Sequence, residues 1–331
     1  MSDSTLALRN QLHLGAYQHV INQLSSRNLS SRNYEQDPDL LDQKCLLYRA
    51  YVAQGKFNLV ITDIEDGANT PAELLALRMW ALLLQFQTKA GAALPSRPAL
   101  ALAAAGTPLQ LPTEKLEAKE REVLEAVQTL LAEPVNRLNS RIIIPVASIL
   151  YRLGQLEEAL RVLAHRPKDL ECVALTVQTL LFINRVDLAQ REMDSVKTWS
   201  EDDQLALLLE GWVNLRLGGP KYREALYIFE ELAQAAPVPT SKLLSCQAIA
   251  NLHLGRLPEA ESLLLEALAK DGDDAEALAN MVVCATLLQK PADVRARFLN
   301  QLRDVAPQHP LVESVTQKEA LFDQCAQAIA H

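Results

Sequence analysis

Leu254-Gly255-Arg256-Leu257-Pro258-Glu259-Ala260, continued by Leu264 and Ala267, is the stretch on which the fold turns. Gly255 supplies a residue for which positive φ costs little, as a tight reversal requires. Ala260, Leu264 and Ala267 then recur at i, i+4 and i+7, one face of a helix. On the other side of the turn, Leu244, Ala248 and Asn251 share a face of the segment opening at Ser241. Two helices joined by a short turn follow, with small residues letting the backbones approach and Leu filling the groove beside them. The same phrase returns as Leu153-Gly154-Gln155-Leu156-Glu157-Glu158-Ala159 with Leu163, as Gly15-Ala16-Tyr17 with Val20 and Leu24, and as Gly55-Lys56-Phe57 with Val60 and Ile64.

Aligned on the small residue of the second helix, Ala159, Ala189, Ala225 and Ala260 stand 30, 36 and 35 residues apart, Arg295 continues the register 35 further on, and Val20 and Val60 are 40 apart. These spacings scatter around the tetratricopeptide period of 34. The expected fold is all-α: a tetratricopeptide-like helix-turn-helix solenoid, wound as a right-handed superhelix, over residues 1–310, with 311–331 as a C-terminal capping helix. Breaks in the pattern are also readable. Gly218-Gly219-Pro220 lengthens one turn, and an irregular Ala/Pro-rich insertion occupies about 89–112, after a helix over Leu74–Phe86. A charged helix reopens at Thr113 and runs to about Ala132. Pro145 predicts a helix start or a kink, Pro237 and Pro307 predict helix ends, and Ser200-Glu201-Asp202-Asp203 predicts a helix start with acids in its first turn.

Apolar residues make up 49% of the 331 and charged residues 22%, so the chain can form a core. Ala and Leu dominate and only 11 Gly occur, which favours helix. A formal charge of −9 argues against a nucleic-acid partner, which needs a basic face. The five cysteines, Cys45, Cys172, Cys246, Cys284 and Cys325, are scattered without a Cys-x-x-Cys pair and read as reduced core thiols of a cytoplasmic protein. The opening Met1–Thr5 is polar, unlike a secretory signal, and no run of apolar residues is long enough to span a bilayer. Membrane association is therefore expected only peripherally, through partners.

Chemical motifs are wanting. Gly55-Lys56 is not a phosphate loop, because Ala50 stands where its first Gly belongs and Phe57 where a Ser or Thr must hold magnesium. Asp271-Gly272-Asp273-Asp274 lacks calcium-loop spacing and its closing Glu. The six histidines form no metal pair on one helix face, and Glu157-Glu158 and Glu230-Glu231 point to different sides of a helix. The sequence suggests no enzyme, cofactor or metal site.

A binding face is better marked. Trp80 and Trp212 each follow the small-residue position of a first helix (Met79 and Gly211), a phase expected to face the concave side of the array. Arg49, Gln178 and Ile249 hold the same place in other repeats, and Tyr151, three residues after Ser148, shares the face. Aromatics and Arg on a concave wall are typical of protein-binding hot spots.

Several ordered blocks go beyond a generic repeat. Tyr48-Arg49-Ala50-Tyr51-Val52-Ala53-Gln54 with Lys56-Phe57, Leu77-Arg78-Met79, Leu170 to Gln178, and Trp212-Val213-Asn214-Leu215 followed by Gly218-Gly219 and Ala225-Leu226-Tyr227-Ile228-Phe229 resemble the epsilon subunit family of coatomer, the coat of COPI vesicles. The resemblance covers nearly the whole chain and is weakest from Lys89 to Arg141. It implies a non-catalytic coat scaffold whose repeats curl into a ring around the C-terminal domain of the coatomer alpha subunit. It further implies a cytoplasmic protein, peripheral on Golgi membranes and vesicles through the other coatomer subunits, serving Golgi-to-ER retrieval. Such an obligate partner buries more than about 2,000 Å². The alternative is a tetratricopeptide adaptor for extended peptide tails, but those grip a terminal carboxylate with clustered Lys and Arg, and the phases above are too apolar for that.

Overall fold

The computed structural model describes residues 3–27, 38–65, 67, 70–90, 117–164, 168–200, 203–236 and 238–330. Every regular element among them is helical. In chain order they are α1 (Asp3–His13), α2 (Tyr17–Ser25), α3 (Pro38–Ala53), α4 (Phe57–Asp63), α5 (Ala72–Ala90), α6 (Ala118–Ala132), α7 (Ser140–Arg152), α8 (Leu156–Ala164), α9 (Leu170–Phe182), α10 (Val186–Lys197), α11 (Gln204–Leu217), α12 (Lys221–Ala235), α13 (Ser241–His253), α14 (Leu257–Lys270), α15 (Ala275–Leu287), α16 (Ala292–Val305) and α17 (Pro310–Ala330), with a 3₁₀ turn at Asn136–Leu138. The Ala/Pro-rich stretch expected at 89–112 lies outside the described residues beyond Ala90, as do Pro237, Glu201 and Asp202.

One turn chemistry builds the hairpins. At Leu254, Gly255 and Arg256 the backbone N–H groups donate back to Ala250, Leu252 and Asn251, so three orphan carbonyls at the end of α13 are satisfied. The same three bonds close the turns at 14–16, 54–56, 153–155, 183–185 and 288–290. The middle residue has positive φ each time: Gly15, Gly55, Gly154 and Gly255, but also Asn184 at 63° and Gln289 at 54°. Helix starts are capped by side chains, Asn139 accepting from Arg141 N–H, Asp169 from Glu171, Thr240 from Leu243, and Asp274 from Glu276 and Ala277.

Behind these turns the small residues Ala159, Ala189, Ala225 and Ala260 are fully buried, with Leu163, Leu264 and Phe229 beside them. Each such Leu or Phe side chain contributes about 1.5–3 kcal/mol by leaving water. The register changes at the last hairpin. Gln289 follows Gly255 by 34 residues, so Val294, packed on the core with Phe298 and Leu302, takes the place assigned to Arg295. Three further expectations are corrected. α7 does not start at Pro145 but runs through it from Ser140. The acids before α11 precede the helix, with Asp203 as its cap accepting from Leu205 N–H. The charged helix after the insertion begins at Ala118, where Glu117 and Glu120 form a capping box.

The helices separate into two compact units, α1–α11 and α12–α17, dividing between Leu217 and Gly218. In the first, the leading helices of successive hairpins stand in a row, α3 against α5, α5 against α7, α7 against α9 and α9 against α11, and α1 touches both α3 and α11. The inner row of this unit thus closes on itself. In the second, α12 packs on α13, α13 on α14, α14 on α15 and α15 on α16, with α13 also meeting α15. Both glycines at its head have positive φ, 78° at Gly218 and 59° at Gly219, and a Cβ on Gly218 would also lie 3.1 Å from Oη of Tyr222, whose ring stacks on His253 at 4.5 Å.

Candidate functional site

The five inner-face positions read in the first unit, Arg49, Trp80, Tyr151, Gln178 and Trp212, stand one each on α3, α5, α7, α9 and α11, and Ile249 stands on α13 of the second unit. Their surroundings differ. Gln178 is exposed; Trp212 and Ile249 are half-buried. Trp80 is half-buried and packs against two core clusters, one built from α3–α5 and one from α5–α8. Tyr151 sets its ring edge-on to Phe182 at 5.2 Å.

Arg49 is committed inward. Its Nη1 donates to Glu171 Oε2 at 2.8 Å, and the same carboxylate accepts from His13 Nε2 at 2.9 Å and faces Arg9 Nε at 3.5 Å. Glu171 sits in the first turn of α9, its own N–H held by Asp169, and its side chain is 7% exposed. Burial alone would raise its pKa, but Arg49, the His13 hydrogen bond and Arg9 together hold the carboxyl well below the usual carboxylate range. Beside it, Arg141 grips buried Asp42 with two 2.7 Å contacts, joining α7 to α3. Burial pushes the neighbouring Cys45 thiol up to about 12, so it stays protonated. A small cleft, partly open to solvent, is lined by Arg9, Asp42, Cys45, Arg49, Arg141 and Glu171.

Two exposed apolar residues on α15 stand at related positions and were not read from the sequence. Val283 follows Ile249 by one 34-residue period and is 40% exposed; Leu287 follows His253 by the same step and is 53% exposed. Extending the period from Ile249 would have found Val283, and Leu287 lies one turn further along the same helix. No group of three or more His, Cys, Asp or Glu side chains among the described residues could hold a metal ion. None of the described helices is long and apolar enough to cross a membrane.

Helical hairpins of one period, joined by one turn chemistry and packed on small buried residues, define a tetratricopeptide-like helical array. Solved structures agree on the fold: a tetratricopeptide repeat protein from Parabacteroides merdae (TM-score 0.54, 14% identity, 91% of this chain and 97% of that one) and the APC/C hetero-tetramer Cut9–Hcn1 (TM-score 0.58, 14% identity, 96% of this chain and 55% of that one). The sequence profile of the family described as coatomer epsilon subunit matches residues 1–97 and 99–330. Coatomer subunit epsilon-1 of Arabidopsis thaliana is 33% identical over 328 residues, covering 99% of this chain and 98% of that protein. Coatomer subunit epsilon of Dictyostelium discoideum is 30% identical over 329 residues, with 98% of each covered. The chain belongs to the coatomer epsilon subunit family. It is accordingly a non-catalytic scaffold component of the COPI coat, associated with other coatomer subunits, in a family of cytoplasmic proteins peripheral to the Golgi.

Proposed function

We propose that the chain clamps and stabilises one folded partner, the C-terminal domain of the coatomer alpha subunit, and so supports retrograde Golgi-to-ER vesicle transport. The observation that carries this reading is the character of the inner-face positions. In the first unit Trp80, Tyr151 and Trp212 keep half-buried aromatic surface at this phase, and in the second Ile249 is half-buried while Val283 and Leu287 are exposed. Arg49, the cation at this phase, is committed to Glu171 at 2.8 Å. A folded apolar surface fits such a face better than the carboxylate end of a peptide tail. In this reading the repeats up to about residue 310 form the binding array, Arg49 shapes its wall, Gln178 adds a polar contact, and the helix from Pro310 onward caps it. The membrane is met only through the assembled coat.

Co-expression with the alpha C-terminal domain, followed by size exclusion with light scattering, tests the proposal. A stoichiometric, salt-resistant complex supports it. Two separate peaks, with binding instead to short acidic-ended peptides, would overturn it in favour of the adaptor.

A further inference from the structure

The ion cluster around Glu171 does something a repeat array does not ordinarily do. In such arrays each repeat touches only its neighbours, so the ends open independently. Here the carboxylate on α9, the leading helix of the fifth hairpin, is reached by His13 from 158 residues upstream and by Arg49 from 122 upstream. Arg9, on the same helix as His13, approaches it too, and α1 also touches α11. Arg141 and Asp42 add a second bridge, from α7 to α3, across the intervening α5. All these side chains except Asp42 and Glu171 are themselves partly shielded rather than exposed, between 11% and 31%.

We propose that Glu171 is a clasp, joining the first hairpin of the amino-terminal unit to its fifth leading helix, so that the inner row holds one curvature and opens as a single body. The clasp has two sides. Arg9 and His13 bind α1 to α9; Arg49 binds α3 to α9. Removing the carboxylate frees both sides, whereas removing only the α1 cations frees the first hairpin and leaves α3 in place. The unit without a clasp would behave as a nearest-neighbour stack that frays from α1 inward. This inference concerns the free chain and does not depend on the identity of the partner.

Hydrogen exchange of the full chain, followed by mass spectrometry, tests it. In the wild type the slowest amides of α1, α3 and α9 are expected to open together, with similar protection. Glu171→Gln should raise exchange in α1 and α3 by about tenfold or more and leave α13–α16 unchanged. Should that variant fail to fold, the double variant Arg9→Gln with His13→Gln retains the Arg49–Glu171 pair. It should raise exchange in α1 and α2 alone, with α3 and α9 as protected as before. The proposal is overturned if α1 already exchanges far faster than α9 in the wild type. It is equally overturned if the double variant leaves α1 as protected as the wild type.

Discussion

In the amino-terminal unit the inner face is largely spent on the chain itself: Arg9, His13 and Arg49 converge on Glu171, Arg141 on Asp42, and Trp80 wedges between two cores. In the carboxy-terminal unit polar side chains link adjacent repeats, Ser241 to Asp274, Lys290 to Glu261 and His309 to Glu276, while Ile249 is half-buried and Val283 and Leu287 are exposed on the leading helices. Both units use the same turn and the same small-residue contact. The difference lies in the side chains at one helical phase: in the amino-terminal unit they include charged groups that tie distant helices together beside the half-buried Trp80, Tyr151 and Trp212, and in the carboxy-terminal unit they include the exposed Val283 and Leu287. The repeat makes the scaffold; the residues at that phase decide what the scaffold does.

The sharpest way to break this comparison is to neutralise the clasp. Glu171→Gln leaves Arg9 and Arg49 largely buried without their counter-charge, and loss of one partner from such a cluster costs about 3 kcal/mol. Urea unfolding should show the loss in the amino-terminal unit only. The pH dependence follows from the depressed carboxyl. Because the folded pKa lies below the ordinary 4.5, the contribution is fully present above about that pH and is lost as pH falls below it. Glu171→Gln should flatten that part of the acid-stability profile, and an unchanged profile would remove the clasp from the account.

Smaller effects sharpen the shared architecture. Ala260 is fully buried between α14 and its neighbours, so Ala260→Leu should overpack the contact and cost about 1–3 kcal/mol by thermal melting. An unaltered melting temperature would contradict the assigned register. Gln289 holds at 54° the conformation that Gly255 holds at 74° one repeat earlier. Gln289→Gly should therefore stabilise the carboxy-terminal unit by about 0.5 kcal/mol, the relief of left-handed strain exceeding the entropy cost of Gly. Val283→Asp with Leu287→Asp should change stability least, within about 0.5 kcal/mol, because both side chains are already exposed. These substitutions should instead abolish partner binding.

Much of this organisation is written locally. Gly15, Gly55, Gly154 and Gly255 announce four turns, and the alanines five residues after Gly154 and Gly255 announce the helix contacts, because both signals lie within a few residues of each other. Asn184 and Gln289 make the same turn without a Gly, so the signal there is silent. The phase proposed for the inner face is a local property too, since it repeats with the helix. What Arg49 does at that phase is not. Its partner lies 122 residues away, and Glu171, following a capping Asp169, looks like any acid in the first turn of a helix. Pairing across several repeats depends on how far the unit curls, and curl accumulates from small angles that no single stretch of sequence displays. The acids at 201–203 show the reverse case, a strong local signal whose helix begins just beyond them, at Gln204.

The most direct test of the division between a self-held unit and a partner-offering one is titration of the alpha C-terminal domain into the wild type and into the Val283→Asp, Leu287→Asp variant, with both melting curves recorded. The account predicts a one-to-one complex with the wild type and none with the variant, at matching melting temperatures. Equal binding by the variant would contradict it.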